Sequence, residues 1–225
     1  MERRQLYMND MQRFIYYIAA LITIIVAGRR FGKTHGVVAP WLLRNLQAMP
    51  GSAGGIVCAT FQQALTRTLP GTLAALEEMG YKRNLHYYVG IKPPKSAGFA
   101  KPVREPISFD RVISWYNGSL WYLISQDVPG SANSLTLQYV MGDEAKFLDF
   151  EKLKNEVFPA NGGNPGPWRD CPWLNSMLCV SDMPLSKRGS WFMNYEGKAT
   201  PELIEAIELC LGEIYRLSAL EKTTY

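Results

Sequence analysis

The spacing of apolar positions changes several times along the chain, and each change marks an element. Met11, Phe14, Ile15 and Ile18 recur at helical spacing after Asn9 and Asp10, either of which can cap a helix start. Leu21 to Val26 is dense in β-branched residues and predicts a buried strand. Ala27 to Gly32 reads as a loop. From Lys33 to about Met49, the residues Val37, Val38, Trp41, Leu42 and Leu46 share one helical face, with a kink expected at Pro40. A second short strand is predicted over Gly55 to Ala59. A helix from about Thr60 to Glu78 follows, with Pro70-Gly71 expected to interrupt or split it.

Between Tyr87 and Tyr122 the pattern is that of strands, and Asn117-Gly118 between two apolar runs predicts a hairpin. Another strand runs from Leu137 to Met141 and ends at Gly142-Asp143-Glu144. A loop rich in Pro, Gly and Asn spans 159–173, and Met177 to Val180 reads as a last buried strand. Thr200-Pro201 opens a helix with Leu203, Ile207, Leu211, Ile214 and Leu217 on one stripe. Buried strands alternating with helices predict a three-layer α/β domain.

Composition narrows the function classes only a little. The 225 residues are 47% apolar and 20% charged, enough for a proper core and unlike a disordered tail. With 24 basic against 20 acidic residues, the net charge of +4 permits nucleic-acid binding without arguing for it. Four scattered Cys with no C-x-x-C, and two His, exclude an evident zinc site and read as buried free thiols in a reducing compartment. The longest apolar stretch, Phe14 to Ala27, falls short of the ~20 residues that span a bilayer. It also runs into Gly-Arg-Arg rather than a signal-peptide cleavage site, so a cytoplasmic protein is expected.

The candidate chemistry begins at Ala27-Gly28-Arg29-Arg30-Phe31-Gly32-Lys33-Thr34. The segment has the spacing of a phosphate-binding loop, with Ala in place of the first Gly. A loop that leaves a strand and enters a helix aims backbone N–H groups and the positive helix end at phosphate oxygens. Gly32 permits close approach, Lys33 is a point charge for the β and γ phosphates, and the Thr34 hydroxyl can ligate Mg²⁺. The second half of such a site is a strand ending in carboxylates. Asp143 would hold Mg²⁺, directly or through water, and Glu144 would polarise the attacking water. Two adjacent carboxylates also suggest the class of NTPases with an extra strand between the two motifs, with which the 56–59 strand is consistent.

These residues resemble the ATPase domain of the large terminase subunit of tailed phages. The resemblance spans about residues 10–190. It rests on the early basic residues Arg29 and Arg30, Gln12 lying 21 residues before Lys33, and Thr60-Phe-Gln-Gln-Ala64 after the second strand. It rests also on Asn117-Gly118-Ser119, Gly142-Asp143-Glu144-Ala145 and Ser181-Asp182-Met183-Pro184. The resemblance implies a three-layer P-loop NTPase fold with a mostly parallel central sheet, of the additional-strand, RecA-like class. It implies ATP and Mg²⁺ as cofactors, adenine contact by Gln12, and coupling of hydrolysis to movement through Ser181 and Asp182. It implies double-stranded DNA, the portal protein and the small terminase subunit as partners of a homo-oligomeric ring in the host cytoplasm. A neighbouring subunit would donate an arginine, for which Arg67, Arg83, Arg104 and Arg111 are all available.

The expected domain division is an ATPase domain over 1–195 and a C-terminal helix, lid or linker, over 196–225. The chain has no Asp after Asp182, so the family's C-terminal nuclease is expected to be absent. Alternatives stay open at several positions. Arg29 is either a sensor of the γ-phosphate or a solvated loop charge, and Gln12 either a base contact or a surface residue. His35 reads as a helix-surface residue. Lys92, Lys95, Lys101 and Arg104 face either DNA phosphates or solvent. Trp168, Trp173 and Trp191 either stack on bases or pack in the core. As a function, a helicase or recombination-type ATPase on the same core, or a nucleotide-binding assembly module without turnover, remains as an alternative.

Overall fold

The strands enter one sheet in an order that the chain does not follow. The computed structural model describes residues 7–162, 165–198 and 200–223, so the first six positions and the centre of the 159–173 loop lie outside them. Among the described residues the strands are β1 (Ile22–Val26), β2 (Ala53–Cys58), β3 (Tyr87–Val89), β4 (Val112–Trp115), β5 (Leu120–Ser125), β6 (Tyr139–Asp143) and β7 (Ser176–Ser181). Their spatial order is β1-β7-β6-β2-β5-β4-β3. β1, β7, β6, β2 and β5 pair in parallel, and β4 and β3 add an antiparallel edge. An extra strand does separate the loop after β1 from the acidic pair, but it is β7. Residues 56–58 of the expected 56–59 strand lie in β2, which ends at Cys58 on the far side of β6.

That order corrects the reading of β1. It is an edge strand, and only Ile25 of its five residues is buried, while Ile22 is 54% exposed. The inner strands are buried on both faces, and alternation sorts their side chains into two clusters. Ile56, Cys58, Met141, Leu178 and Val180 pack with Val37, Leu42, Leu69 and Leu76 on one face. Val57, Val140, Met177 and Cys179 pack with Leu153, Val157, Trp191 and Phe192 on the other. Gly54 lies where a side chain would meet the Tyr139 ring at 2.2 Å, so glycine there admits the buried Tyr139, whose hydroxyl accepts from Trp121 Nε1 at 2.8 Å.

The helices are α1 (Asp10–Ile18), α2 (Thr34–Val38 continued by Ala39–Ala48), α3 (Phe61–Gln63, Ala64–Thr68 and Leu69–Glu78 in succession), α4 (Phe150–Lys152, Leu153–Val157 and Phe158–Ala160) and α5 (Pro201–Thr223). Pro40 and Pro70 do not end their helices. Each of Pro40, Pro70 and Pro159 follows a five-residue π-turn, in which Ala39, Leu69 and Phe158 donate to the carbonyl five residues back. Proline supplies no N–H and its ring crowds the carbonyl four residues before it. One widened turn removes that conflict and lets the helix run on.

The hairpin forms where expected. Gly118 adopts φ +83° and donates to Trp115 O, while Trp115 N–H donates to Ser119 O. The basic stretch crosses this hairpin, with Ala100 N–H donating to Tyr116 O and Val103 N–H to Gly51 O. Lys92 there pairs with Glu105 at 2.6 Å, and Lys95 and Lys101 are exposed. Trp168 and Trp191 are buried, donating to Pro50 O and Ala145 O, and the guanidinium of Arg44 covers the Trp173 ring. Core packing is thus the reading that Trp168 and Trp191 follow, whereas Trp173 is only partly buried. All four cysteines are free; Cys58 and Cys179 are buried, but Cys171 is only partly so and Cys210 is exposed. In α5, Leu211 is buried and Ile207 and Ile214 partly so, whereas Leu203 and Leu217 are more than half exposed, contrary to the expected stripe. Among the described residues no helix is long and apolar enough to cross a membrane.

Candidate active site

Three neighbouring strands, β1, β7 and β6, deliver the candidate residues to the same end of the sheet. The loop after β1 turns into α2, the pair Ser181-Asp182 closes β7, and Asp143-Glu144 closes β6. Ligands bind at the carboxyl ends of strands in open α/β sheets, and here these ends surround a cleft of about 470 Å³. Gly28 to His35, Arg67, Asp143, Glu144, Lys146 and Asp182 are among its lining residues.

The loop owes its shape to local conformations and to a prop from behind. Arg30 and Gly32 both have positive φ, +69° and +78°, and the Arg30 conformation is one that a side chain disfavours. Lys33 folds back over the loop, its Nζ donating to Ala27 O at 2.5 Å, and it also pairs with Asp182. Ala27 N–H donates to Ser181 O, which ties the loop to β7. Gln12 stands behind the loop. Its Oε1 accepts from Asn9 N–H in a capping box, and its Nε2 donates to Phe31 O at 2.8 Å. Gln12 is 6% exposed and does not line the cleft, so both ends of its amide serve the protein.

Across the cleft, Asp143 accepts from the Thr68 hydroxyl and from Glu144 N–H, and burial still raises its carboxyl above the ordinary range. The Thr68 hydroxyl also meets the Cys58 thiol at 3.5 Å, and burial pushes that thiol up to about 12. Glu144 takes a left-handed backbone, φ 50°, and its Oε2 is buried with no hydrogen bond among the described residues. The Lys146 ammonium stands 3.5 Å from that oxygen. Asp182 is held below the ordinary carboxylate range, first by its hydrogen bond from Lys33 and also by Lys146. Ser181 is buried, and its hydroxyl accepts from Lys146 N–H at 3.2 Å instead of facing the cleft.

The expected residues therefore divide. Lys33, Thr34, Asp143, Glu144, Arg29 and the loop from Gly28 to Gly32 share the cleft, while Gln12, Ala27 and Ser181 support it from outside. The Arg29 side chain is 93% exposed, its Nε 4.0 Å from Asp182. His35 lies at the cleft rim with its Nε2 3.5 Å from Glu78. Of the arginines considered for a neighbour's site, Arg67 lies in the chain's own cleft. The sequence reading missed Lys146 and Thr68. Lys146 was visible as a basic residue two positions after Glu144, but Thr68 arrives from the middle of α3 with no local signal.

The donor set suits Mg²⁺, which takes one or two protein oxygens and completes its octahedron with phosphates and water. The Thr34 hydroxyl and the Asp143 carboxylate are hard oxygen donors on residues that both line the cleft. The buried, disfavoured charge of Asp143 is one that a cation would relieve.

No protein-family profile matches the sequence, and no curated protein matches it either. Among solved structures it resembles the large terminase ATPase domain of Thermus phage P74-26, with TM-score 0.51 and 20% identity over 90% of this chain and 74% of that one. A large terminase from a thermophilic bacteriophage, solved in complex with ADP, aligns with TM-score 0.47 and 13% identity over 76% of this chain and 37% of that one. The chain thus has the RecA-like P-loop fold of a phage large terminase ATPase domain.

Proposed function

We propose that the chain is the ATP-hydrolysing motor domain of a terminase-type machine that drives double-stranded DNA into a viral procapsid. The observation that carries this reading is the meeting of Lys33, Asp143 and Glu144 in one cleft of a terminase-like fold. The loop N–H groups at the start of α2 and the Lys33 ammonium would receive the β and γ phosphates of ATP. Arg29 would add charge from the loop's outer rim. Thr34 and Asp143 would hold Mg²⁺, which would supply positive charge to offset that of the phosphates. Glu144, whose Oε2 makes no hydrogen bond among the described residues, would orient and polarise the attacking water. Gln12 and Ser181 act as positioning residues, fixing the loop and the β7 end respectively.

Phosphoryl transfer is mostly positioning and charge stabilisation, so an arginine from a neighbouring subunit of a ring would complete the site. Duplex DNA, a portal protein and a small terminase subunit are the partners this reading assigns. Equilibrium binding and phosphate release together test the site: Lys33→Ala should lose MgATP binding, and Glu144→Gln should keep it while hydrolysis falls to background. Hydrolysis by Glu144→Gln at the wild-type rate would remove Glu144 from its role.

A further inference from the structure

Lys146 reaches the cleft with no motif to announce it. It sits on the 3₁₀ turn Ala145–Phe147 that follows Glu144, and its backbone is anchored to the buried Ser181 hydroxyl. The side chain is 19% exposed and lies 5.1 Å from the Phe147 ring centroid. Its Nζ is 3.3 Å from Asp182 Oδ2 and 3.5 Å from Glu144 Oε2. The other Asp182 oxygen accepts from Lys33 Nζ. One carboxylate at the end of the middle strand therefore bridges two lysines, one delivered from the β1 side and one from the β6 side.

A bridged carboxylate between two ammonium groups, in a cleft built for phosphates, occupies the electrostatic place of a phosphate oxygen pair. A terminal phosphate brings more charge and three acceptor oxygens, so it can take both lysines from Asp182. We propose that Lys146 is a second phosphate-binding cation that reads the terminal phosphate of a nucleoside triphosphate, and that Asp182 is the internal anion which holds both lysines until that phosphate displaces it. The inference rests on the reading of the cleft as a nucleotide site. Lys33 and Lys146 hold the two oxygens of one carboxylate, so a single terminal phosphate in its place meets both ammonium groups, whereas a diphosphate lacks that group and leaves Lys146 on Asp182.

Isothermal titration of MgATP and MgADP into wild type, Lys146→Met, Lys146→Arg and Asp182→Asn tests this, with circular dichroism confirming that each is folded. Lys146→Met keeps the apolar stem and should weaken MgATP by about tenfold or more, the loss of one charge-assisted hydrogen bond, while changing MgADP by less than about twofold. Lys146→Arg should restore most of the MgATP affinity, and Asp182→Asn should tighten MgATP. An unchanged ratio of MgATP to MgADP affinity in Lys146→Met, or weaker MgATP binding by Asp182→Asn, would overturn the proposal. A wild type that binds neither nucleotide would overturn it together with the reading of the site. A wild type that binds both while Lys146→Met behaves identically defeats this inference alone.

Discussion

The side-chain amide of Gln12 fills the space in which a side chain at Gly36 would begin: a Cβ there would fall 2.2 Å from Gln12 Cδ. The first turn of α2 is thus packed onto the residue that both caps α1 and holds the carbonyl of Phe31. A helical glycine replaced by alanine ordinarily gains about 1 kcal/mol. Here the sign should reverse. Gly36→Ala should lower stability by about 1–3 kcal/mol in urea denaturation, through overpacking and loss of the Gln12 contacts, and should weaken MgATP binding as the loop loses its prop. A stabilised Gly36→Ala would mean that Gln12 moves aside freely and is no prop.

Asp143 should cost the protein stability. Burial is the largest influence on its carboxyl and raises its pKa, against the opposing hydrogen bonds of Thr68 and Glu144 N–H. A carboxyl whose folded pKa is raised destabilises the fold above that pKa, and the penalty is relieved as pH falls through it. Asp143→Asn should therefore melt higher than wild type at pH 7, and the difference should shrink as the pH is lowered. Melting curves at a series of pH values check this, and a lower melting temperature for Asp143→Asn at pH 7 would contradict it.

Asp182 should behave in the opposite way. Its pKa is depressed, first by the Lys33 hydrogen bond, so its contribution is stabilising above the unfolded value of about 3.9 and is lost as pH falls through the depressed folded value. The stability gap between wild type and Asp182→Asn should stay level from neutral pH down to about 5 and close below about 4. A gap that closes between pH 8 and pH 6 would point to a different titrating group.

The loop that carries Glu144 and Lys146 is held from beneath by Trp191, whose indole N–H donates to Ala145 O and whose ring stacks on Phe150 with centroids 5.2 Å apart. Trp191→Phe keeps an aromatic ring but leaves Ala145 O without that donor. It should cost about 1–3 kcal/mol in denaturant unfolding. Trp191→Ala should cost about 3–5 kcal/mol. Equal stability of Trp191→Phe and wild type would show that the hydrogen bond contributes nothing.

What was legible in the sequence was local. The helix start at Asn9 or Asp10, the hairpin at Asn117-Gly118, the loop between β1 and α2 and the strand ending at Asp143 each depend on residues close together, and each forms where expected, with Asn9 as the cap. Pairings between distant segments were not legible. No residue of β7 announces that it lies between β1 and β6, so the sequence points to 56–59 for the inserted strand and to a buried β1. The prolines were visible as breakers, but the π-turns that absorb them were not, because a widened turn leaves no composition of its own. Gln12 stood out by its distance from Lys33; that its amide turns toward Phe31 depends on the absence of a side chain at Gly36.

Steady-state phosphate release from ATP tests the motor reading most directly, measured without DNA, with single-stranded DNA and with double-stranded DNA, and with Glu144→Gln as the blank. A terminase-type motor should hydrolyse slowly alone, and duplex should raise its rate well above that seen with single strands. Stimulation by single strands in place of duplex would contradict the packaging motor and favour a helicase-type ATPase; a rate at the blank under all three conditions would contradict turnover by this chain.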